Sequence, residues 1–191
     1  MKSLLITLIF LSPVSAMGAV RTVNQAQNYV DFGNGTAFGY TGAMSIMMKV
    51  KITSASIATE PFLISKCGVS GARGWGLQIT RNNFLQFFVA PTATTILNLT
   101  GVNLVRYEVP QTIICTYAPS VEMAIYINGI KMESRTDSVP ASQNNPAVAL
   151  LLGARVSAIT VPTATFEEVA TWGRVLTASE IAILSNRVSK S

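Results

Sequence analysis

The 191-residue chain has no histidine, two cysteines, two aspartates (Asp31 and Asp137) and only 12% charged residues. Without histidine neither a Ser-His-Asp nor a Cys-His catalytic unit can be assembled, and two cysteines exclude nearly every zinc site. Nine acids stand against fourteen Lys and Arg, so the net charge of +5 reflects missing carboxylates rather than a basic cluster. Those bases are scattered without aromatic interleaving, which argues against nucleic acid as a partner. Beyond the N-terminus no apolar run approaches the roughly 20 residues of a membrane span. What the chain does have is 49% apolar residues and a mean hydropathy of +0.42, enough for one well-filled core.

Met1-Lys2-Ser3 places a positive charge before the apolar stretch Leu4–Leu11, which Ser12-Pro13 interrupts. Val14-Ser15-Ala16 then sets small residues where a signal peptidase reads. The pattern predicts a signal peptide over residues 1–16 and a mature chain that is secreted, extracellular or periplasmic. No cysteine follows the apolar stretch to accept a lipid anchor. No Gly- or Pro-rich linker and no internal repeat divides residues 17–191, which predicts a single domain there.

Alternation dominates that domain. Met44, Ile46, Met48, Val50 and Ile52 share one parity, with Ser45, Met47, Lys49 and Lys51 on the other, the pattern of a half-buried strand. Similar segments recur at Phe62–Ser65, Trp75–Thr80, Phe84–Val89, Gln111–Tyr117, Val121–Asn128, Ala147–Leu152 and Phe166–Trp172, bounded by Gly, Pro, Asn or Ser. This spacing predicts an all-β, antiparallel β-sandwich. Asn128-Gly129 suits the positive φ angles of a type I′ hairpin turn, and Arg81-Asn82-Asn83 is expected to join its flanking strands in the same way. One short C-terminal helix is expected after the capping box Thr177-Ala178-Ser179-Glu180, with Ile181, Leu184 and Val188 as its apolar stripe.

The order of these pieces resembles the laminin-G-like jelly roll of the concanavalin A-like lectin/glucanase superfamily. Tyr29-Val30-Asp31-Phe32 is similar to the family's opening strand, Phe62-Leu63-Ile64-Ser65-Lys66 to its Ile-Leu-Ser-Lys strand, and Gly74-Trp75-Gly76-Leu77-Gln78-Ile79 to its Gly-Trp-x-Leu-x-Ile strand. Ile113–Tyr117, the hairpin Ile125–Gly129 and Leu151-Leu152-Gly153 follow in family order. The most specific block runs from Phe166 to Ile181 and resembles the family's terminal Ile-Asp-Glu-Val-x-Ile-Trp-x-Arg-x-Leu-Thr-x-x-Glu-Ile. The resemblance covers roughly residues 28–188 and implies a concanavalin A-like sandwich.

It also raises calcium. Where the family binds calcium, an early Asp-Gly turn and the Asp of the Asp-Glu-Val block supply ligands. Here the early turn reads Gly33-Asn34-Gly35 and the late position is Glu167, leaving Asp31, Asn34, Glu167 and loop carbonyls as candidate ligands. Calcium takes six to eight oxygens, and this set is short of charge, so no calcium or other cofactor is expected. The superfamily's glucanases carry a Glu-x-Asp-x-x-Glu strand that has no counterpart here. The only adjacent acids, Glu167 and Glu168, should diverge on neighbouring strand positions, so the chain is not expected to be an enzyme.

Trp75, Trp172, Phe87 and Phe88 offer ring faces on which a sugar could stack. The parity of Trp75 with Leu77 and Ile79, and of Trp172 with Phe166 and Ala170, reads instead as core. Tyr126 and Arg81 are better placed as ligand-binding residues. Cys67 and Cys115 form either a disulfide or two small buried apolar residues, and spacing leaves both open. Asn34-Gly35-Thr36 and Asn98-Leu99-Thr100 match the N-glycosylation pattern, which has meaning only in a host that secretes through an endoplasmic reticulum.

The function expected is a secreted, non-catalytic module that binds a glycan or glycosylated surface through rim loops. A structural or adhesive building block of a surface or virion, acting through homo-assembly, is the main alternative, and a divergent glycan hydrolase the third.

Overall fold

The computed structural model describes residues 17–23, 29–54, 60–69, 71–101, 104–156 and 162–186. The export signal expected over residues 1–16, and Val188 of the helix stripe, lie outside them. Among the described residues the strands in chain order are β1 Met17–Val23, β2 Val30–Asp31, β3 Met44–Ser54, β4 Phe62–Lys66, β5 Trp75–Ile79, β6 Leu85–Val89, β7 Leu97–Gly101, β8 Gln111–Ala118, β9 Glu122–Ile127, β10 Ile130–Arg135, β11 Leu151–Leu152 and β12 Thr163–Trp172, followed by the helix α1 Ala178–Asn186. They pair antiparallel into two six-stranded sheets, β1-β12-β3-β8-β9-β10 (sheet A) and β2-β11-β4-β5-β6-β7 (sheet B). The expected antiparallel sandwich with one C-terminal helix is the architecture found.

The alternation explains the layering. Met44, Ile46, Met48, Val50 and Ile52 of β3 all fall in one buried cluster with Trp75, Leu77 and Ile79 of β5 and Phe87 of β6. Side chains of successive strand residues point to opposite faces, so each strand gives half its residues to the space between the sheets. Burying each such side chain contributes about 1.5–3 kcal/mol against the entropy of ordering it.

The turns follow their residues. Asn128 (φ 50°) and Gly129 (φ 85°) make the expected type I′ turn. The β5–β6 turn is also a hairpin, but with only its third residue, Asn83, left-handed (φ 62°), while the Asn83 amide donates to the Thr80 carbonyl at 2.9 Å. At α1 the capping box forms reciprocally: the Glu180 amide donates to Thr177 Oγ1 at 3.3 Å and the Thr177 amide to Glu180 Oε2 at 2.8 Å.

Two expectations need correction, and one open alternative is closed. A β-bulge at Glu167, between Phe166 opposite Val50 and Glu168 opposite Lys49, breaks the parity of β12. Phe166 therefore joins the inter-sheet core while Ala170 and Trp172 pack on the other face of sheet A, under α1. For the same reason strict alternation does not govern how Glu167 and Glu168 diverge. The strand expected over Ala147–Leu152 shrinks to Leu151–Leu152, because its first residues turn: the Val148 amide donates to the Pro146 carbonyl and the Val148 carbonyl accepts from Lys66 Nζ. Finally, Cys67 and Cys115 are free thiols rather than a disulfide. Cys67 lies with Phe62 and Phe88 on the outer face of sheet B and Cys115 lies in the inter-sheet core, so a sheet separates them.

The two outer faces differ. Sheet A is closed by α1, whose Ile181 and Leu184 pack with Leu176 on Met47, Ile114, Ala170 and Trp172. The other helical element among the described residues is a 3-10 turn at Thr36–Phe38, whose Phe38 packs against the inter-sheet core.

Candidate functional site

On the outer face of sheet B the polar half of each strand's alternation comes into register. Gln78 on β5 pairs with Gln86 on β6, which pairs with Thr100 on β7. Directly opposed side chains lie close enough to bond, and these do: Gln78 Nε2 donates to Gln86 Oε1 at 2.8 Å and Gln86 Nε2 to Thr100 Oγ1 at 3.0 Å. The next row is Gly76, Phe88 and Asn98. A Cβ on Gly76 would come within 2.8 Å of the Phe88 ring, so glycine lets that ring lie flat across β5 and meet Phe62 edge-on, with centroids 6.1 Å apart.

These rows floor an open groove of about 200 Å³, lined by Glu60, Phe62, Cys67, Arg73, Gln78, Gln86, Phe88, Ile96, Asn98 and Arg155. Phe62 and Phe88 are only 5% and 3% exposed. They support the groove but offer no stacking platform, whereas Gln78, Gln86 and Asn98 beside them are half-buried or exposed. Glu60 is the one carboxylate among the lining residues, and it lies 3.8 Å from Arg81 Nε.

The walls are fixed by backbone bonds. The Arg73 amide donates to the Ala93 carbonyl at 3.2 Å, and its own carbonyl accepts from Asn144 Nδ2 at 2.5 Å. Gly74 follows because a Cβ there would meet the Lys66 carbonyl at 2.1 Å. Before Arg155, the Ala154 carbonyl accepts from Ser65 Oγ at 2.8 Å and the Gly153 amide donates to the Leu63 carbonyl at 2.8 Å. The Arg155 guanidinium sits 4.9 Å from the centroid of the Phe62 ring.

The residues singled out from sequence are dispersed over this frame. Arg81 is exposed at the β5–β6 turn and reaches the groove through Glu60. Tyr126 is on sheet A, half-buried against the α1 cluster with the Lys131 ammonium 5.7 Å from its ring, so the structure does not bring it together with Arg81. Trp75 and Phe87 are inter-sheet core, and Trp172 is packed beneath α1.

The candidate calcium ligands are already engaged. Asp31 Oδ1 accepts the Gly33 amide at 2.7 Å. Asn34 Oδ1 accepts from Lys66 Nζ at 2.6 Å, and the same ammonium donates to the carbonyls of Val148 at 2.8 Å and Pro146 at 3.1 Å. An ammonium thus stands against the Asn34 oxygen and would repel a divalent cation there. Burial lowers the Lys66 pKa, since no carboxylate offsets the lost hydration. Glu167 belongs to β12 of the other sheet. Among the described residues no three acids or cysteines cluster as metal ligands would.

A laminin-G-type family model of the Concanavalin A-like lectin/glucanases superfamily matches residues 24–182. The chain belongs to that superfamily. No curated protein matches it in sequence. Solved structures similar to this superfamily member include the binding domain of Paraclostridial Mosquitocidal Protein 1, at 14% identity and a TM-score of 0.67 over 91% of the chain and 45% of that one. A structure of botulinum neurotoxin type C, for which entering cells depends on interaction with two ganglioside molecules, matches at 15% identity and a TM-score of 0.64 over 91% and 46%. The binding domain of Botulinum Neurotoxin DC in complex with SialylT matches at 17% identity and a TM-score of 0.60 over the same shares. The chain spans less than half of each, and at these identities the likeness is one of fold.

The groove itself was not singled out from sequence. Its signal was present as the polar parity of three strands: Gln78 between Leu77 and Ile79, Gln86 between Leu85 and Phe87, and Asn98 and Thr100 around Leu99. Strand order, which places those parities side by side, is what the sequence alone does not display.

Proposed function

We propose that this member of the lectin/glucanases superfamily is a secreted, non-catalytic recognition module that takes a glycan in the groove on the outer face of sheet B. The observation that carries the reading is the polar ladder Gln78, Gln86 and Thr100 lying uncovered beside Asn98. Amides and hydroxyls both donate and accept, which matches the hydroxyl rows of a saccharide, and fixed strands hold them with little ordering cost on binding. Hydrolysis of a glycosidic bond needs two carboxyl groups about 5–10 Å apart across the chain. The groove offers Glu60, already facing Arg81, and the Glu167–Glu168 pair belongs to the other sheet. The distantly similar structures are toxin binding domains, which is consistent with recognition rather than catalysis.

The test is a binding screen of the mature chain against immobilised neutral and acidic glycans, followed by prolonged incubation with whatever binds. Binding that falls at least about tenfold in Gln86→Ala, with no new reducing ends released, is expected. Binding that survives Gln86→Ala, or release of reducing ends, would contradict the reading. Mass spectrometry of exported protein should find an N-terminus near Met17, and recovery of Met1 would remove the export part.

One observation favours the building-block alternative. On β10, the edge strand of sheet A, Ile130 and Met132 are 67% and 45% exposed, and an exposed edge can pair with a second copy. Light scattering after size-exclusion chromatography separates the two: a monomer supports recognition, a large homo-assembly the building block.

A further inference from the structure

We propose that the sheet B groove selects an acidic oligosaccharide, and that Arg73 and Arg155 hold its carboxylate or sulfate; this rests on the glycan reading above and narrows it. Both arginines line the groove. Each has its Nε buried without a hydrogen-bond partner, and neither forms a salt bridge among the described residues. The groove's one acid, Glu60, faces the exposed Arg81 rather than either of them. Two guanidinium charges are therefore held at one concave surface with no protein anion among the described residues to answer them, whereas Arg135 and Arg174 are paired to Asp137 and Glu180.

The chemistry favours an oxyanion over a neutral acceptor. A guanidinium cannot lose its proton, and a planar fork of N–H donors fits carboxylate or sulfate oxygens two at a time. The Arg155 guanidinium carbon lies 4.9 Å from the centroid of the Phe62 ring, a contact that holds the group at the groove wall. The backbone bonds of Arg73, and those of Gly153 and Ala154 beside Arg155, fix where both side chains start. A saccharide is favoured over an acidic peptide because the anion site is continuous with the neutral ladder of Gln78, Gln86 and Asn98, which suits hydroxyls between the charges.

The experiment is calorimetric titration of the mature chain with a uronate, a sulfated and a sialylated oligosaccharide, each beside its neutral counterpart (methyl ester, desulfated, asialo), and with polyglutamate. At least one acid should bind at least about tenfold more tightly than its neutral form and weaken as salt is raised. Arg73→Gln and Arg155→Gln should each lose about tenfold or more, while Lys131→Gln on sheet A should not, with thermal melting showing that all three fold. If neutral forms bind as well as acidic ones and Gln86→Ala abolishes both, the groove is a glycan site and the anion selectivity is wrong. If the acids bind but the arginine variants do not weaken them, the assignment to Arg73 and Arg155 is wrong. If polyglutamate binds as tightly as the acidic saccharides, the site reads charge alone and the saccharide class is wrong. If no saccharide of either kind binds, the glycan reading falls and this inference with it.

Discussion

The sandwich has two outer faces built by the same alternation and put to opposite ends. On sheet A the outward positions are Met47, Ile114 and Trp172, and they acquire a lid, α1, whose Ile181 and Leu184 complete a small second core. On sheet B the outward positions of β5, β6 and the edge strand β7 include Gln78, Gln86, Asn98 and Thr100 beside the buried Phe88, with arginines at the margin and no second α-helix among the described residues. Inward parity makes the fold, and it is the chemistry of outward parity that decides whether a face is closed for stability or left open for a ligand.

Removing a side chain from each face breaks or sharpens this contrast most strongly. Trp172→Ala should cost about 3–5 kcal/mol in chemical denaturation, because it opens a cavity between sheet and helix. Gln86→Ala should cost less than about 1 kcal/mol, since its partners are left facing solvent in an open groove. Equal costs would mean that the ladder is structural rather than an open binding surface.

Lys66 comes next. It points to the inner side of sheet B, opposite Trp75, and ties the β2 turn to residues 146–148. Lys66→Met relieves the cost of burying an ammonium but strands three acceptors, at about 1–3 kcal/mol for each left dry. A net loss of about 2–4 kcal/mol is expected, and a stabilised variant would show that ammonium desolvation outweighs the three bonds.

A smaller effect concerns α1. The Arg174 guanidinium and the Thr177 amide hold the Glu180 carboxyl down to about 2, against an ordinary value of 4.5. A carboxyl depressed in the folded state contributes stability present above 4.5 and lost as pH falls toward 2. Because Arg174 and Glu180 are 48% and 35% exposed, solvent screens the pair and the effect should be confined to the helix. Amide protection in α1, taken relative to the intrinsic exchange rate at each pH, should fall over that window in the native chain and not in Glu180→Gln, while sheet B stays protected.

Calcium should do least. An occupied site with a Kd of about 10 μM would add roughly 2.7 kcal/mol in about 1 mM calcium. With Asp31 on the Gly33 amide and Asn34 on Lys66, the melting temperature should not respond. A rise of several degrees, lost in Asp31→Ala or Glu167→Ala, would place a metal at that rim.

Much of the fold was legible because alternation, the Asn128-Gly129 turn and the capping box are local signals. The β12 bulge was not, since an extra residue in a strand leaves no local mark, and it moved Trp172 to the face that α1 covers. β7 alternates as Leu97-Asn98-Leu99-Thr100, a run so short that its Asn-Leu-Thr glycosylation pattern is the more visible local signal. Its Asn98 lines the groove, so a glycan attached there would crowd the proposed site. The site was less legible than the fold. Arg81 was found at the groove's margin, whereas Arg73 and Arg155 lie far apart in sequence and meet only through β4, whose neighbours are β5 and β11. Tyr126 has the parity opposite to Ile125 and Ile127, but parity does not reveal that the α1 cluster packs against that face.

The claim that sheet B carries the binding face is tested most directly by mapping backbone amide chemical shifts of the mature chain as an acidic oligosaccharide that binds is added. The account predicts shifts concentrated at Arg73, Gln78, Gln86, Asn98 and Arg155, with Tyr126, Trp172 and the residues of α1 unmoved. Shifts concentrated at Tyr126, α1 or β10, with sheet B silent, would contradict it.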